Sequence, residues 1–124
     1  MSAVRILDER HGNLTVARVE GEVDASNTAE LGMRLRELVT NRSAGLVVDL
    51  SATTYLDSAG INLLFALGDE LVVHQQRLRL VVAAGSPIAR MLAITSLDRV
   101  HPVHHTAAEA LEVKGKLKGD SPFR

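Results

Sequence analysis

No cysteine occurs in the 124 residues. That excludes a disulfide framework and a thiol nucleophile, and it is compatible with a reducing cytoplasm. Aromatic side chains are nearly missing: Tyr55, Phe65 and Phe123 are the only three, too few to build a platform for stacking single-stranded bases. Charge of one sign is not in excess either. With 14 Lys and Arg against 15 Asp and Glu, no net field draws nucleic acid or an anionic membrane. The longest uncharged run is the eleven residues from Ser58 to Gly68, too short to span a bilayer. Near the N-terminus Arg5, Asp8, Glu9 and Arg10 stand where a signal peptide needs an apolar core. The nucleophile elbow GxSxG, the dinucleotide fingerprint GxGxxG and the phosphate loop GxxxxGKS/T do not occur. The expectation is a single soluble cytoplasmic domain with no cofactor, no direct nucleic-acid partner and no membrane insertion. At this length it buries roughly two-thirds of its unfolded surface.

What is present alternates between two periods. Val4 to Leu7 reads as a short strand and 11-HGN-13 as a turn. Leu14 to Val23 reads as a second strand, with Val19, Gly21 and Val23 alternating with Arg18, Glu20 and Glu22. At Asn27 the period changes. Asn27 and Glu30 have capping-box spacing, and Leu31, Leu35, Leu38 and Val39 then fall on one helical face that should end near Ser43 and Gly45. Glu30 and Arg34 are spaced to pair on its surface. The run 46-LVVDL-50 predicts a central strand covered on both faces, and a helix follows from Ser58 to about His74. Leu78, Leu80, Val81 and Val82 predict another buried strand. Ser86 and Pro87 cap and open a helix carrying Ile88, Met91 and Leu92. Val100 and Val103 mark a last short strand, and Thr106 with Glu109 is a second capping-box pattern ahead of Ala110 and Leu111. This order predicts one α/β domain over residues 1–113, a mostly parallel or mixed sheet with helices packed on it. Residues 114–124 read as a polar, flexible tail.

Three places hold residues with chemical potential. In 84-AGSP-87 a serine at a helix start could hold an anion, although a plain N-cap explains it. In 101-HPVHH-105, His101 and His105 would share a strand face at metal-ligand spacing, yet no local cysteine or carboxylate completes a site. They are read as structural or surface histidines, with no metal. The third place is 56-LDSAG-60. Ser58 is placed as the N-cap of the following helix, and capping alone could account for it. The alternative is a phosphorylation site: Ala59 and Gly60 leave the hydroxyl accessible, a helix N-terminus favours negative charge, and Asp57 would make a phosphoserine a dense anion. On the helix that follows, Ile61, Leu64, Phe65, Gly68, Leu71 and Val72 project to one face. Leu63 falls on the other side near Asn62 and is a candidate partner contact.

Together 21-GEVDASNTAEL-31, 46-LVVDLSATTYLDSAG-60 and 80-LVVAAGSPIARML-92 resemble bacterial anti-sigma factor antagonists of the STAS fold, over about residues 4 to 112. The resemblance implies a single STAS domain, with a mixed, partly parallel sheet of four to five strands and about four helices packed mainly on one side. It implies a protein that is no enzyme but binds an anti-sigma factor, often a serine kinase of the histidine-kinase-like ATPase fold, and so frees a sigma factor. Phosphorylation by that kinase would fall on Ser58, and a serine phosphatase of the PP2C type would reverse it. The acidic residue of the GE-x-D motif falls on Asp24, near the phosphosite, and Asn27 stands where Thr is frequent. The implied binding surface is Asp24, Asn27, Asp57, Ser58, Ala59, Gly60, Asn62 and Leu63. Some STAS proteins instead serve as accessory subunits of ABC-type lipid transporters, where the corner residue is often threonine; Ser58 tilts against that alternative.

Overall fold

The computed structural model describes residues 3–112. The expected tail, 114–124, lies outside them. Strands β1 (Val4–His11) and β2 (Leu14–Val23) form an antiparallel hairpin closed at Gly12 and Asn13, with Gly12 at φ 64°. The chain continues through helix α1 (Thr28–Glu37), strands β3 (Gly45–Asp49) and β4 (Thr53–Leu56), helix α2 (Ser58–Val73) and strand β5 (Arg77–Val81). Helix α3 (Pro87–Ile94), the single turn α4 (Leu97–Val100), strand β6 (Val103–His104) and a helix α5 over 107–112 complete it. The sheet runs β1-β2-β3-β5-β6, and β4 lies off this path, paired with β2. All pairings after the hairpin are parallel.

The mixed sheet and the helices gathered on one face agree with expectation. Ala17, Val19, Leu46, Val48, Leu78 and Leu80 point to one side, where α1, α2, α3 and α4 bring Leu31, Leu35, Ile61, Leu64, Leu67, Leu92 and Leu97. On the other side Leu14, Val16, Val47 and Val81 meet α5, through Ala110, Ala107 and Leu111, together with Ala44. Strand β3 is buried throughout, as its near-continuous apolar run requires.

Several boundaries differ from the sequence reading. Strand β1 extends to His11. Helix α1 stops at Glu37, well short of Ser43, because the following turn is held from outside. The buried Gln76 amide donates to the Thr40 carbonyl at 2.7 Å and the Ser43 carbonyl at 3.1 Å, and β-branched Val39 and Thr40 add little to a helix. Arg36, rather than Arg34, makes the ion pair of α1. It reaches Glu70 on α2 with two bonds of 2.7 and 2.8 Å, which holds the Glu70 carboxyl below its usual range. Strand β4 was not foreseen. Val100 belongs to α4 rather than to the last strand, and Val72 on α2 is exposed while Leu67 is buried.

Helix α2 is seated by a notch. A Cβ at Gly68 would overlap the imidazole of His101, which is buried against the helix at that point. Burial lowers the His101 pKa, and Asp69 offsets this only in part. Its Nε2 has no hydrogen-bond partner among the described residues, as suits a neutral ring. Burial also lowers His104, assisted by Arg79.

Two outcomes follow. Gly68→Ala should destabilise the fold by about 2 kcal/mol through overpacking, with much of that loss recovered when His101→Ala is added, as a double-mutant cycle in urea would read. For the histidines the folded pKa is depressed, so their contribution is fully present above the unfolded value of about 6.5 and is lost as pH falls below it. The urea midpoint should therefore drop between about pH 7.5 and about pH 5.5, and His101→Gln should drop less.

Candidate functional site

Two acidic turns meet because β2 and β4 end side by side. The parallel register sets Val23 against Leu56, so Asp24 and Asp57 are the next residues on neighbouring strands. The Asp57 N–H donates to the Val23 carbonyl at 3.3 Å and extends the ladder to the corner itself. The close approach also needs Gly60. A Cβ there would overlap the Leu56 side chain and press on Val23, so only glycine lets the first turn of α2 rest on the two strands.

The N-cap of α2 is Asp57, not Ser58. The Asp57 carboxylate accepts from Ala59 N–H at 3.0 Å and Gly60 N–H at 3.2 Å, with the backbone of Asp57 extended. Both side chains are good caps, but the carboxylate accepts with full charge and also complements the helix dipole. Ser58 becomes the first helical residue. It is exposed, and its hydroxyl makes no hydrogen bond among the described residues. The corner is thus a solvent-facing hydroxyl next to a carboxylate already committed to the helix.

Asp24 opens the neighbouring turn. Half-buried, it accepts from the Ser26 N–H at 2.9 Å and from the Ser26 hydroxyl. Asn27 does sit at the N-cap position of α1, but its side chain makes no capping bond. The Asn27 amide turns back instead, donating to the Glu22 carbonyl at 2.8 Å and accepting from the Asp24 N–H at 3.1 Å. Buried in this way, Asn27 shapes the turn that presents Asp24 and offers no surface of its own.

The remaining expected contacts divide. Asn62 is exposed and Ala59 half-buried, whereas Gly60 is buried. Leu63 is not on the open side. It packs against the core beside α1, its Cδ1 only 2.8 Å from where a Gly32 Cβ would stand. The helical projection placed it outward because the projection takes no account of α1 lying alongside. One exposed aromatic was missed: Tyr55 on β4, 50% exposed, two residues before Asp57 and paired with Glu22. Its signal was the β-branched and aromatic run 53-TTY-55.

The other two candidate places separate in space. Ser86 caps α3 by accepting from Ala89 N–H at 3.1 Å. His101 is buried below α2, while His105 turns its Nδ1 to the Val82 carbonyl at 3.3 Å. Among the described residues no group of three or more His, Cys, Asp or Glu is arranged to hold a metal ion, and no helix is long and apolar enough to cross a membrane.

Comparison with known proteins bears on the family and the fold. The family model for the STAS domain matches residues 5–110. The anti-sigma-F factor antagonist RsfB of Mycobacterium tuberculosis is 32% identical over 101 residues, spanning 82% of this chain and 81% of that protein. The crystal structure of an anti-sigma factor antagonist from Mycobacterium paratuberculosis superposes with a TM-score of 0.80 at 28% identity, covering 90% of this chain and 93% of that one. The phosphorylated form of the Bacillus cell fate determinant SpoIIAA superposes with a TM-score of 0.66 at 19% identity, over 87% and 97% of the two chains, a likeness of fold.

The cap assignment predicts an asymmetry between neighbours. Asp57→Ala should cost about 1 kcal/mol of stability, while Ser58→Ala should stay within about 0.5 kcal/mol of the parent. Chemical denaturation of the two variants measures both.

Proposed function

The chain belongs to the STAS domain family, and from that premise we propose that it is an anti-sigma factor antagonist switched by phosphorylation of Ser58. The observation that carries this reading is the pairing of Val23 with Leu56, which sets Asp24 and Asp57 at the ends of adjacent strands, Asp57 directly before the exposed Ser58. The protein acts by binding and has no catalytic step of its own. Its partner is an anti-sigma factor that is also a serine kinase of the histidine-kinase-like ATPase fold, its place of action the cytoplasm, and binding frees the sigma factor. A PP2C-type serine phosphatase restores the active form.

The physics of the switch is local. Unmodified, the corner presents a neutral hydroxyl, the small Ala59, the exposed Asn62 and the exposed ring of Tyr55. Tyrosine is well suited to anchor an interface, since it contributes a large contact area at low entropic cost. Phosphorylation adds about −1.5 to −2 charges beside Asp57 and close to the Asp24 turn. The first-turn N–H groups of Ala59 and Gly60 already serve Asp57, so the phosphate keeps its charge directed at solvent and at any partner. Like charges brought together at an interface cost several kcal/mol, and a loss of about 3 kcal/mol weakens binding about a hundredfold. The helix dipole favours the added anion within the domain, so the fold persists.

The expected outcome with the cognate anti-sigma factor is loss of about a hundredfold in affinity for Ser58→Asp, read by calorimetry, with unchanged circular dichroism. Tyr55→Ala should weaken the complex by about 1–2 kcal/mol. Phosphate incorporation into Ser58→Ala by the kinase would overturn the assignment of the site.

A further inference from the structure

Strand β1 closes one edge of the sheet, and among the described residues β2 is its only strand partner. The hairpin fixes which backbone groups point outward. The Ala3 carbonyl accepts the Glu22 N–H at 3.2 Å, so residues in step with Ala3, namely Arg5, Leu7, Glu9 and His11, turn their backbone groups toward β2. Val4, Ile6, Asp8 and Arg10 turn theirs away, along the outer edge. The side chains follow the same alternation between faces. Val4 and Ile6 pack on the main core, while Arg5, Leu7 and Glu9 lie exposed on the opposite face, Leu7 at 47%.

We propose that this edge pairs with itself: a second copy of the chain adds its β1 antiparallel to the first, about a two-fold axis at Leu7. An axis normal to the sheet keeps each face continuous, so each possible register places one residue of β1 against its own copy. Centring on Asp8 or on Glu9 opposes two carboxylates, which is unfavourable for directly opposed strand residues. Centring on Ile6 opposes Arg5 with Leu7 and makes no ion pair. Centring on Leu7 opposes leucine with leucine and sets Arg5 of each copy against Glu9 of the other. Those residues fall in the non-hydrogen-bonded rows, where side chains across an antiparallel pair approach most closely. The outward backbone groups of Val4, Ile6, Asp8 and Arg10 then bond across the junction, with Val4 facing Arg10 and Ile6 facing Asp8, and no like charges stand directly opposite each other.

The present pairings of these side chains do not compete strongly. Arg5 bonds Glu20 at 2.9 Å and Glu9 bonds His11 at 2.8 Å, both at exposed positions. A guanidinium has donors for a second carboxylate. Charged residues on an edge strand ordinarily discourage pairing; here the order Arg5, Leu7, Glu9 is complementary to its own reverse, which admits one partner and one register.

Light scattering after gel filtration tests this on the full chain. The parent should run at about twice the 13.4 kDa of one chain at high micromolar concentration. Asp8→Pro removes only an outward N–H, leaves the inner ladder intact and should give monomer with unchanged circular dichroism. Leu7→Lys sets two ammonium groups at the axis and should do the same. Arg5→Glu and Glu9→Arg should each be monomeric alone. Mixed with each other they should form a dimer, because every contact between positions 5 and 9 then joins opposite charges. A parent that stays at 13.4 kDa, a dimer that survives Asp8→Pro or Leu7→Lys, or a mixture that stays monomeric overturns the proposal. None of these outcomes depends on the role of Ser58.

Discussion

Strand β2 hydrogen-bonds to β3 from Leu14 to Arg18 and then, on the same side, to β4 from Gly21 to Val23. The transfer is secured at three points. The Thr53 hydroxyl donates to the Val19 carbonyl at 2.7 Å, the Gly21 N–H to the Ala52 carbonyl at 3.2 Å, and the Thr53 N–H to the Leu50 carbonyl at 3.0 Å. Gly21, at φ 110°, and a register shift beside it absorb the mismatch between the two partners. Without this change of partner β4 would have no ladder, α2 would begin elsewhere, and Asp57 would not stand next to Asp24. The acidic corner is a product of strand pairing before it is a product of side-chain chemistry.

That origin explains which parts were legible in the sequence. The period-two run ending at Val23, the dense apolar run 46–48 and the helical spacing after Ser58 each report burial directly, and each located its element. Strand β4 is four residues long with only its ends buried, so it carries no period to read; its place is decided by the ladder of β2, which is distant in sequence. The end of α1 is set by Gln76 and the burial of Leu63 by α1, again contacts between separated segments. Capping shows the same divide. That a helix begins at 57-DS-58 is local information, but the place of Asp57 beside Val23, to whose carbonyl its N–H donates, is set by a segment distant in sequence. Asn27, which looked like a cap, is diverted to the Glu22 carbonyl by the turn after β2.

The cap assignment changes the electrostatic character of the corner. Had Ser58 been the N-cap, a phosphate on it could have folded back over the first-turn N–H groups and been partly neutralised. With Asp57 holding those donors, the hydroxyl is left facing solvent, next to the carboxylate that caps the helix. The arrangement keeps the capping anion and the exposed hydroxyl on adjacent residues but gives them separate hydrogen-bonding roles. A change in one therefore need not disturb the other.

The notch at Gly68 has a consequence for how information could leave this corner. Ten residues separate Ser58 from Gly68, about 15 Å along the helix, and the His101 ring occupies the gap that Gly68 leaves. Sliding α2 by one turn, about 5.4 Å, would bring Leu64 or Val72 onto the ring, where neither side chain has room. The ring therefore acts as a key in a slot, forbidding translation along the axis. On the proposed reading, a phosphate on Ser58 would then be sensed at the surface where it sits rather than through a slide of α2.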